Sequence, residues 1–383
     1  MDITKKIKLD SVFLFLFFVI FPFGQIIRIG LFQPIDVVIG LAAIYTIIAK
    51  LKIPKIFRLM IPFLCVAGFS WLFSIFVFHK IDVLYGLLYL LRLIVYYFFG
   101  IYTWNFIKKK PANKKLIIDS LLMVSLISAF FGWIQYFIYP DIKPFFIFGW
   151  DMHLFRLVGT FLDPTFLGLV IVFGLLLLIH QCMSSCNWKK VLIMIFLLVS
   201  LAFTYSRASY LAFIAGVLVI VYFNKKFKKI LWVIGGLILM ALLLPTAKNH
   251  SIEIFRTFSA IARIENYQTT LEIFSKSPVF GVGYNNMCLA YQTFIGPQSY
   301  SSHACSGSDS SLLLILATTG AIGFMMFISS AWKIGAILIR DSRYKILVSC
   351  IIALLIHSLF SNSMFYAWVM GYVAVLFAVV LKE

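Results

Sequence analysis

The chain has 383 residues, of which 62% are hydrophobic and only 12% charged, with a mean hydropathy of +1.01. These values exclude a soluble globular domain and a disordered chain, and describe an all-α polytopic membrane protein dissolved in lipid along most of its length. The net charge of +19 excludes little by itself. Its lysines stand in short runs beside apolar segments, where they meet anionic headgroups, so no nucleic-acid partner is expected.

A helix needs about 20 apolar residues to cross the hydrocarbon layer. In chain order, about twelve transmembrane helices are expected, near residues 11–30, 34–49, 59–78, 84–106, 116–138, 164–181, 190–205, 208–223, 230–246, 309–331, 345–361 and 364–381. The first has a basic start and no small-residue cleavage site, which reads as an uncleaved signal anchor. Residues 1–155 form the N-terminal transmembrane part, 156–331 a catalytic core and 332–383 a C-terminal transmembrane hairpin.

Every second loop is basic. Lys5, Lys6 and Lys8 precede the first segment, Lys50 to Arg58 follow the second, and Lys108 to Lys115 follow the fourth. Lys189 and Lys190, then Lys225 to Lys229, then Lys333 to Lys345, and finally Lys382 continue the alternation. Because cytoplasmic loops carry the positive excess, this side is cytoplasmic and holds both termini.

The opposite, outer face has two long loops, 139–163 and 247–308, and long loops in a compact membrane protein are usually functional. Within the second, Ile264, Tyr267, Leu271 and Phe274 recur at helical spacing before Ser277-Pro278, which predicts an amphipathic helix over 257–275 lying at the membrane surface. Gly281 and Gly283 follow, where the backbone can turn sharply and approach another group closely. Cys65 and Cys350 read as packing residues, Cys182 and Cys186 lack a second ligand pair for zinc, and Cys288 and Cys305 share the outer loop as candidates for a disulfide.

Arginines that a membrane chain normally avoids gather on that outer side. Arg207 stands in Thr204-Tyr205-Ser206-Arg207, Arg156 just before the sixth segment, and Arg263 on the surface helix. Each has an ordinary reading: headgroup snorkelling for Arg207, a salt bridge to Asp151 or Asp163 for Arg156, and Glu253 or Glu265 as partner for Arg263. Together they form a candidate anion clamp, since forked guanidinium donors match phosphate oxygens. Arg92, about 12 Å below the outer boundary, is a further candidate. A structural pair with a carboxylate is its alternative.

The same side offers a proton acceptor. His303 has the natural pKa for proton abstraction near neutrality. Asp309 could take the proton itself or orient the imidazole, although Asp309-Ser310-Ser311 before an apolar helix also reads as an N-cap. His357, with Asn362, could line the cavity.

The order of these motifs resembles a family. Arg-x-x-Gly-Thr-Phe-x-x-Pro at 156–164, Ser206-Arg207 between two segments, Arg263, Pro-x-x-Gly-x-Gly at 278–283, and a polar cluster leading into Leu312 to Gly323 look like the O-antigen ligase and O-antigen polymerase superfamily. The similarity spans about residues 156 to 330, and no single motif in it is specific. The resemblance implies a GT-C-type membrane glycosyltransferase of the bacterial inner membrane. Such an enzyme moves a glycan from undecaprenyl pyrophosphate to an acceptor hydroxyl on the outer face, with no cofactor and no metal. The expected partners are the lipid-linked glycan donor, a glycan or lipid-linked acceptor, and membrane lipids.

It also implies that Arg156, Arg207 and Arg263 bind the pyrophosphate. One departure stands out: the family commonly carries His-Asn where this chain has Asp309-Ser310, and the histidine here, His303, lies six residues earlier. Either His303 or Asp309 would be the base. A transporter or flippase is the main rival reading, since many spans and buried charge also suit substrate passage.

Overall fold

The computed structural model describes residues 3–28, 32–78, 81–148, 150–244, 257–297 and 307–381. The described residues are helical apart from turns and one isolated bridge between Asp141 and Leu154. The helices are α1 (Ile3–Ile20), α2 (Pro34–Ile48), α3 (Lys55–Arg58), α4 (Ile61–Phe78), α5 (Leu84–Lys109), α6 (Asn113–Ile138), α7 (Pro164–Ser184) and α8 (Trp188–Phe203). They continue with α9 (Arg207–Phe223), α10 (Leu231–Leu243), α11 (Thr257–Lys276), α12 (Met287–Phe294), α13 (Ser311–Arg340), α14 (Lys345–His357) and α15 (Ala367–Val380).

Each apolar segment expected from sequence contains a helix. Five helical runs, Lys55–Phe78, Ile81–Lys109, Asn113–Ile138, Pro164–Ser184 and Ser311–Arg340, are long and apolar enough to cross a membrane by length and composition. Several others are shorter apolar helices, α2, α9 and α15 among them.

Proline and polar caps set where helices begin. Asp163 accepts N–H bonds from Thr165 (2.6 Å) and Phe166 (3.2 Å) in front of Pro164, starting α7. Ser206 caps α9, and Gln33 with Asp36 forms a reciprocal capping box on α2. From Leu167 to Ile179, α7 is buried all round, which makes it the central post on which α6, α8, α9 and α14 pack. Cys350 packs inside on α14 as expected, whereas Cys65 on α4 turns outward.

Hydrogen bonds between helix ends sort into two layers. At one end, Thr160 Oγ1 donates to Pro22 O, Gln25 Nε2 to Tyr366 OH, Ser209 Oγ to Thr165 O, and Ser311 N to Ser358 O. At the other, Asn105 Nδ2 donates to Lys52 O, Gln181 Nε2 to Asp119, and Lys345 Nζ to Asn224. Lys52 and Lys345 of the basic clusters belong to the second layer, and every described candidate site residue except Arg92 to the first.

The tenth apolar segment is a broken helix. In α13, Gly320 has φ 67° and ψ −174°, outside helical values, and the segment 277–283 inserts at the break. Val282 and Gly283 donate N–H bonds to the carbonyls of Ala317 and Thr318, both at 3.0 Å, while Ala321 N donates to Pro278 O at 2.8 Å. Ser70 on α4 donates its hydroxyl to Phe280 O (2.7 Å) and Thr318 O (2.6 Å). A Cβ on Gly281 would lie 2.4 Å from Thr318 C, and one on Gly320 would lie 2.3 Å from Val279 O. The close approach expected of Gly281 is therefore to another stretch of backbone, whose broken helical bonds it replaces.

Candidate functional site

α11 runs from Thr257 to Lys276, as its periodicity predicts. Its inward face is carried by Thr270 and Ile273, both 2% exposed or less, while Ile264 and Leu271 of the expected apolar stripe are 55% and 46% exposed. Asn266 anchors it. Its Oδ1 accepts the Asp309 N–H at 2.8 Å and lies 3.3 Å from the Ser308 hydroxyl, which also meets Thr270 Oγ1 at 3.1 Å. Tyr267 donates its hydroxyl to Leu359 O at 2.6 Å, tying α11 to the turn after α14.

This docking brings three expected residues together. Burial, and after it the Arg263 guanidinium, push Arg207 below its ordinary pKa, so the two cations lie within electrostatic reach of each other. Burial raises the Tyr267 hydroxyl, which feels Arg263 pulling it down and Asp309 pushing it up, so Tyr267 is within electrostatic reach of both charges. Arg263 is also within electrostatic reach of His357. Asp309 is half-buried and is not the helix cap: Ser310 caps α13, its hydroxyl accepting from Leu313 N. His303 lies outside the described residues.

Arg156 is directed elsewhere. It is 5% exposed, and its Nε and Nη2 donate to the carbonyls of Thr204 (3.0 Å) and Tyr205 (3.2 Å), with Nη1 3.3 Å from His153 Nδ1. Those carbonyls end α8, where a cation is favoured by the helix dipole. Tyr205 has φ 51°, a left-handed conformation that a non-glycine residue holds only when its surroundings impose it. Arg156 holds both carbonyls of this turn from the 151–163 loop, and the turn leads directly into Arg207.

Arg92 takes the alternative expected of it. Its Nε and Nη2 donate to both oxygens of Asp36, at 3.0 and 2.6 Å, and Tyr96 OH donates to Oδ1 at 2.9 Å. It stands apart from the group around Arg207.

His357, expected to line the cavity, is fully buried at the centre of the layer. Its Nδ1 is 2.5 Å from Ser363 Oγ and its Nε2 3.2 Å from Ser209 Oγ, which in turn donates to Ser206 Oγ at 2.8 Å. The sequence held one signal for this knot, the serines flanking Arg207, but nothing that paired them with a histidine 148 positions away.

Among the described residues, Asp151, His153 and Asp163 bring ligand atoms suited to a cation within 4.8 Å of one another. Burial, then the neighbouring Asp151, raise the Asp163 carboxyl from its ordinary value, and the Arg156 guanidinium already brings positive charge to His153. Cys288 is disulfide-bonded. Cys305, its expected partner, lies outside the described residues.

No curated protein matches the chain. A family model described as O-Antigen ligase matches residues 192–328. That segment runs from α8 into α13 and contains Arg207, Arg263 and Asp309, the residues that the fold gathers at one end, and leaves out Arg156 and Arg92. The match, falling on the gathered residues, supports placing the chain in the O-antigen ligase and polymerase superfamily.

Proposed function

We propose that this protein is an inverting membrane glycosyltransferase that moves a glycan from undecaprenyl pyrophosphate to an acceptor hydroxyl at the outer face of the inner membrane, as an O-antigen or polysaccharide ligase or polymerase. The observation that carries this reading is that Asn266 of α11 holds the Asp309 backbone one turn from Arg263, with Arg207 within electrostatic reach of Arg263. Two neighbouring guanidiniums suit a diphosphate, which has oxygens enough for both.

The acceptor hydroxyl is a weak nucleophile at neutral pH. As its oxygen bonds to the anomeric carbon, Asp309 or His303 takes its proton, and the carbon–oxygen bond to the pyrophosphate breaks on the opposite face. The leaving pyrophosphate keeps the electron pair. It needs charge stabilisation more than protonation, and preorganised arginines supply it. In this scheme Arg156 and His357 position Arg207 from behind, and Arg92 supports the fold. All twelve apolar helices cross the bilayer, with both termini cytoplasmic, and α11 lies at the outer surface with Ile264 and Leu271 toward lipid. A disulfide at Cys288 suits an oxidising compartment on that side. The transporter reading would draw on Arg92 and Asp36, the pair set within the spans, and these are bonded to each other.

The test is transfer by purified protein given an undecaprenyl pyrophosphate-linked glycan and candidate acceptors. Arg207→Ala, Arg263→Ala and Asp309→Ala should each lower the rate by roughly 100-fold or more. His303→Ala separates the two candidate bases. If all four variants transfer at the wild-type rate, the reading is wrong.

A further inference from the structure

α14 ends at His357, and the chain turns through residues 358–364 before α15. Carbonyls just past a helix end have no partner in their own helix and must find one elsewhere when buried. Here they are taken by two of the helices that carry the site. Ser358 O accepts the Ser311 N–H at 2.9 Å and the Ser310 hydroxyl at 3.3 Å, at the start of α13 beside Asp309. Ser361 O accepts the Ser311 hydroxyl at 3.3 Å, and that hydroxyl oxygen takes the Met364 N–H at 3.1 Å. Leu359 O holds Tyr267 of α11, one turn along from Arg263.

The third helix is reached through His357. Ser363 braces its Nδ1 from the far end of the same turn, and Ser209 meets its Nε2. Ser209 lies in the first turn of α9, two residues from Arg207. His357, Ser358 and Ser363, with their partners Ser209 and Ser311, are fully buried. In so dry a setting a broken bond is not replaced by one to water, which favours a single arrangement of the network. α11 and α13 are already joined to each other through Asn266 and the Asp309 N–H. The turn adds α9 to that pair.

We propose that His357 is a positioning residue, and that the 357–364 turn sets the placement of Arg207 relative to Asp309 for the reaction. Resting on the transferase reading, this gives the C-terminal hairpin, which lies outside the matched residues 192–328, a part in transfer. Arg207 can follow a bound diphosphate when the turn lets go, so binding survives. The alignment of acceptor oxygen, anomeric carbon and leaving pyrophosphate does not, and a misplacement of about 1 Å costs roughly 100-fold in rate.

The test measures transfer kinetics and amide hydrogen exchange on the full-length protein in detergent. His357→Ala should lower kcat by roughly 30- to 100-fold with the donor KM within about threefold of wild type, the pattern of an interaction felt in the transition state. His357→Gln, whose amide reaches the Nε2 position, should recover most of that loss. In the exchange arm, peptides spanning 206–212 and 308–314 should exchange together about tenfold faster in His357→Ala, while 221–226 and 341–347 in the opposite layer stay as in wild type. Ser363→Ala removes only the hydroxyl at Nδ1 and should give both effects at smaller size, so it decides the matter should His357→Ala fail to fold. A rise in only one of the first two peptides, an equal rise in all four, a loss carried by KM, no recovery with glutamine, or wild-type behaviour of Ser363→Ala overturns the proposal. Hydrogen exchange needs no sugar transfer. A wild type that does not transfer would sink the transferase reading, while the two peptides would still decide whether the turn holds α9 and α13 together.

Discussion

Replacing Gly281 by alanine tests how the outer loop is held against the broken helix. The new Cβ would sit 2.4 Å from Thr318 C and 2.5 Å from Gly320 N, both backbone atoms that cannot swing aside, at a φ of +73°. The 277–283 segment must then withdraw. It would lose the bonds from Val282 N to Ala317 O and from Gly283 N to Thr318 O, each worth about 1 kcal/mol, and add roughly 1–2 kcal/mol of left-handed strain. The sum is about 3–4 kcal/mol. With an unfolding entropy near 2 cal/mol/K per residue, a chain of 383 residues converts this into a fall in Tm of about 4–5 °C. Thermal unfolding of the purified protein in detergent measures it, with Gly236→Ala as control, since a Cβ there meets nothing within 4 Å. That control should be neutral or gain up to about 1 kcal/mol. Equal melting of Gly281→Ala and Gly236→Ala would refute the account of the inserted loop. Because the same loop braces the helix that begins after Asp309, Gly281→Ala should also slow transfer.

Two further outcomes follow from the charged groups. Arg92→Ala leaves Asp36 without its main partner inside the spans and should cost about 3–5 kcal/mol, seen as loss of folded protein, whereas the double variant Arg92→Leu with Asp36→Leu should recover much of it. Full folding of Arg92→Ala with transfer abolished would instead return Arg92 to the pyrophosphate site. Asp163 has a folded pKa above its unfolded value of 3.8, through burial and then Asp151. Its contribution to stability is therefore complete below that value and is lost as pH rises through the folded pKa. Asp163→Asn keeps an oxygen to cap α7, so it should melt above wild type at neutral pH and converge with it toward pH 3.8. A constant difference across that range would exclude the ionisation.

The sequence was most legible where the physics is one-dimensional. Apolar runs of sufficient length and the alternation of lysine-rich loops depend only on local transfer energies and headgroup charge, so the helices and the expected sidedness could be read along the chain. The site was half legible. An arginine or aspartate beside an apolar helix is costly enough to mark itself, which picked out Arg207, Arg263 and Asp309 along with Arg92 and Arg156. What each arginine faces was not encoded locally. Asp36 lies 56 residues from Arg92 and the Thr204 carbonyl 48 from Arg156, and the two cases look the same until packing supplies the partner. Ser310 rather than Asp309 caps α13, a choice between neighbours made by Asn266 gripping the Asp309 backbone from another helix. The inner face of α11 was not legible, because Thr270 is buried only by finding its own helix carbonyl at Asn266 and the Ser308 hydroxyl, while Ile264 and Leu271 of the apolar stripe stay outside. Length, hydrophobicity and charge are properties of single residues in a solvent, and the chain states them outright. Which cations share a space and which are spent on a carboxylate or a carbonyl is decided by contacts between residues far apart in sequence, and only the folded molecule brings those together.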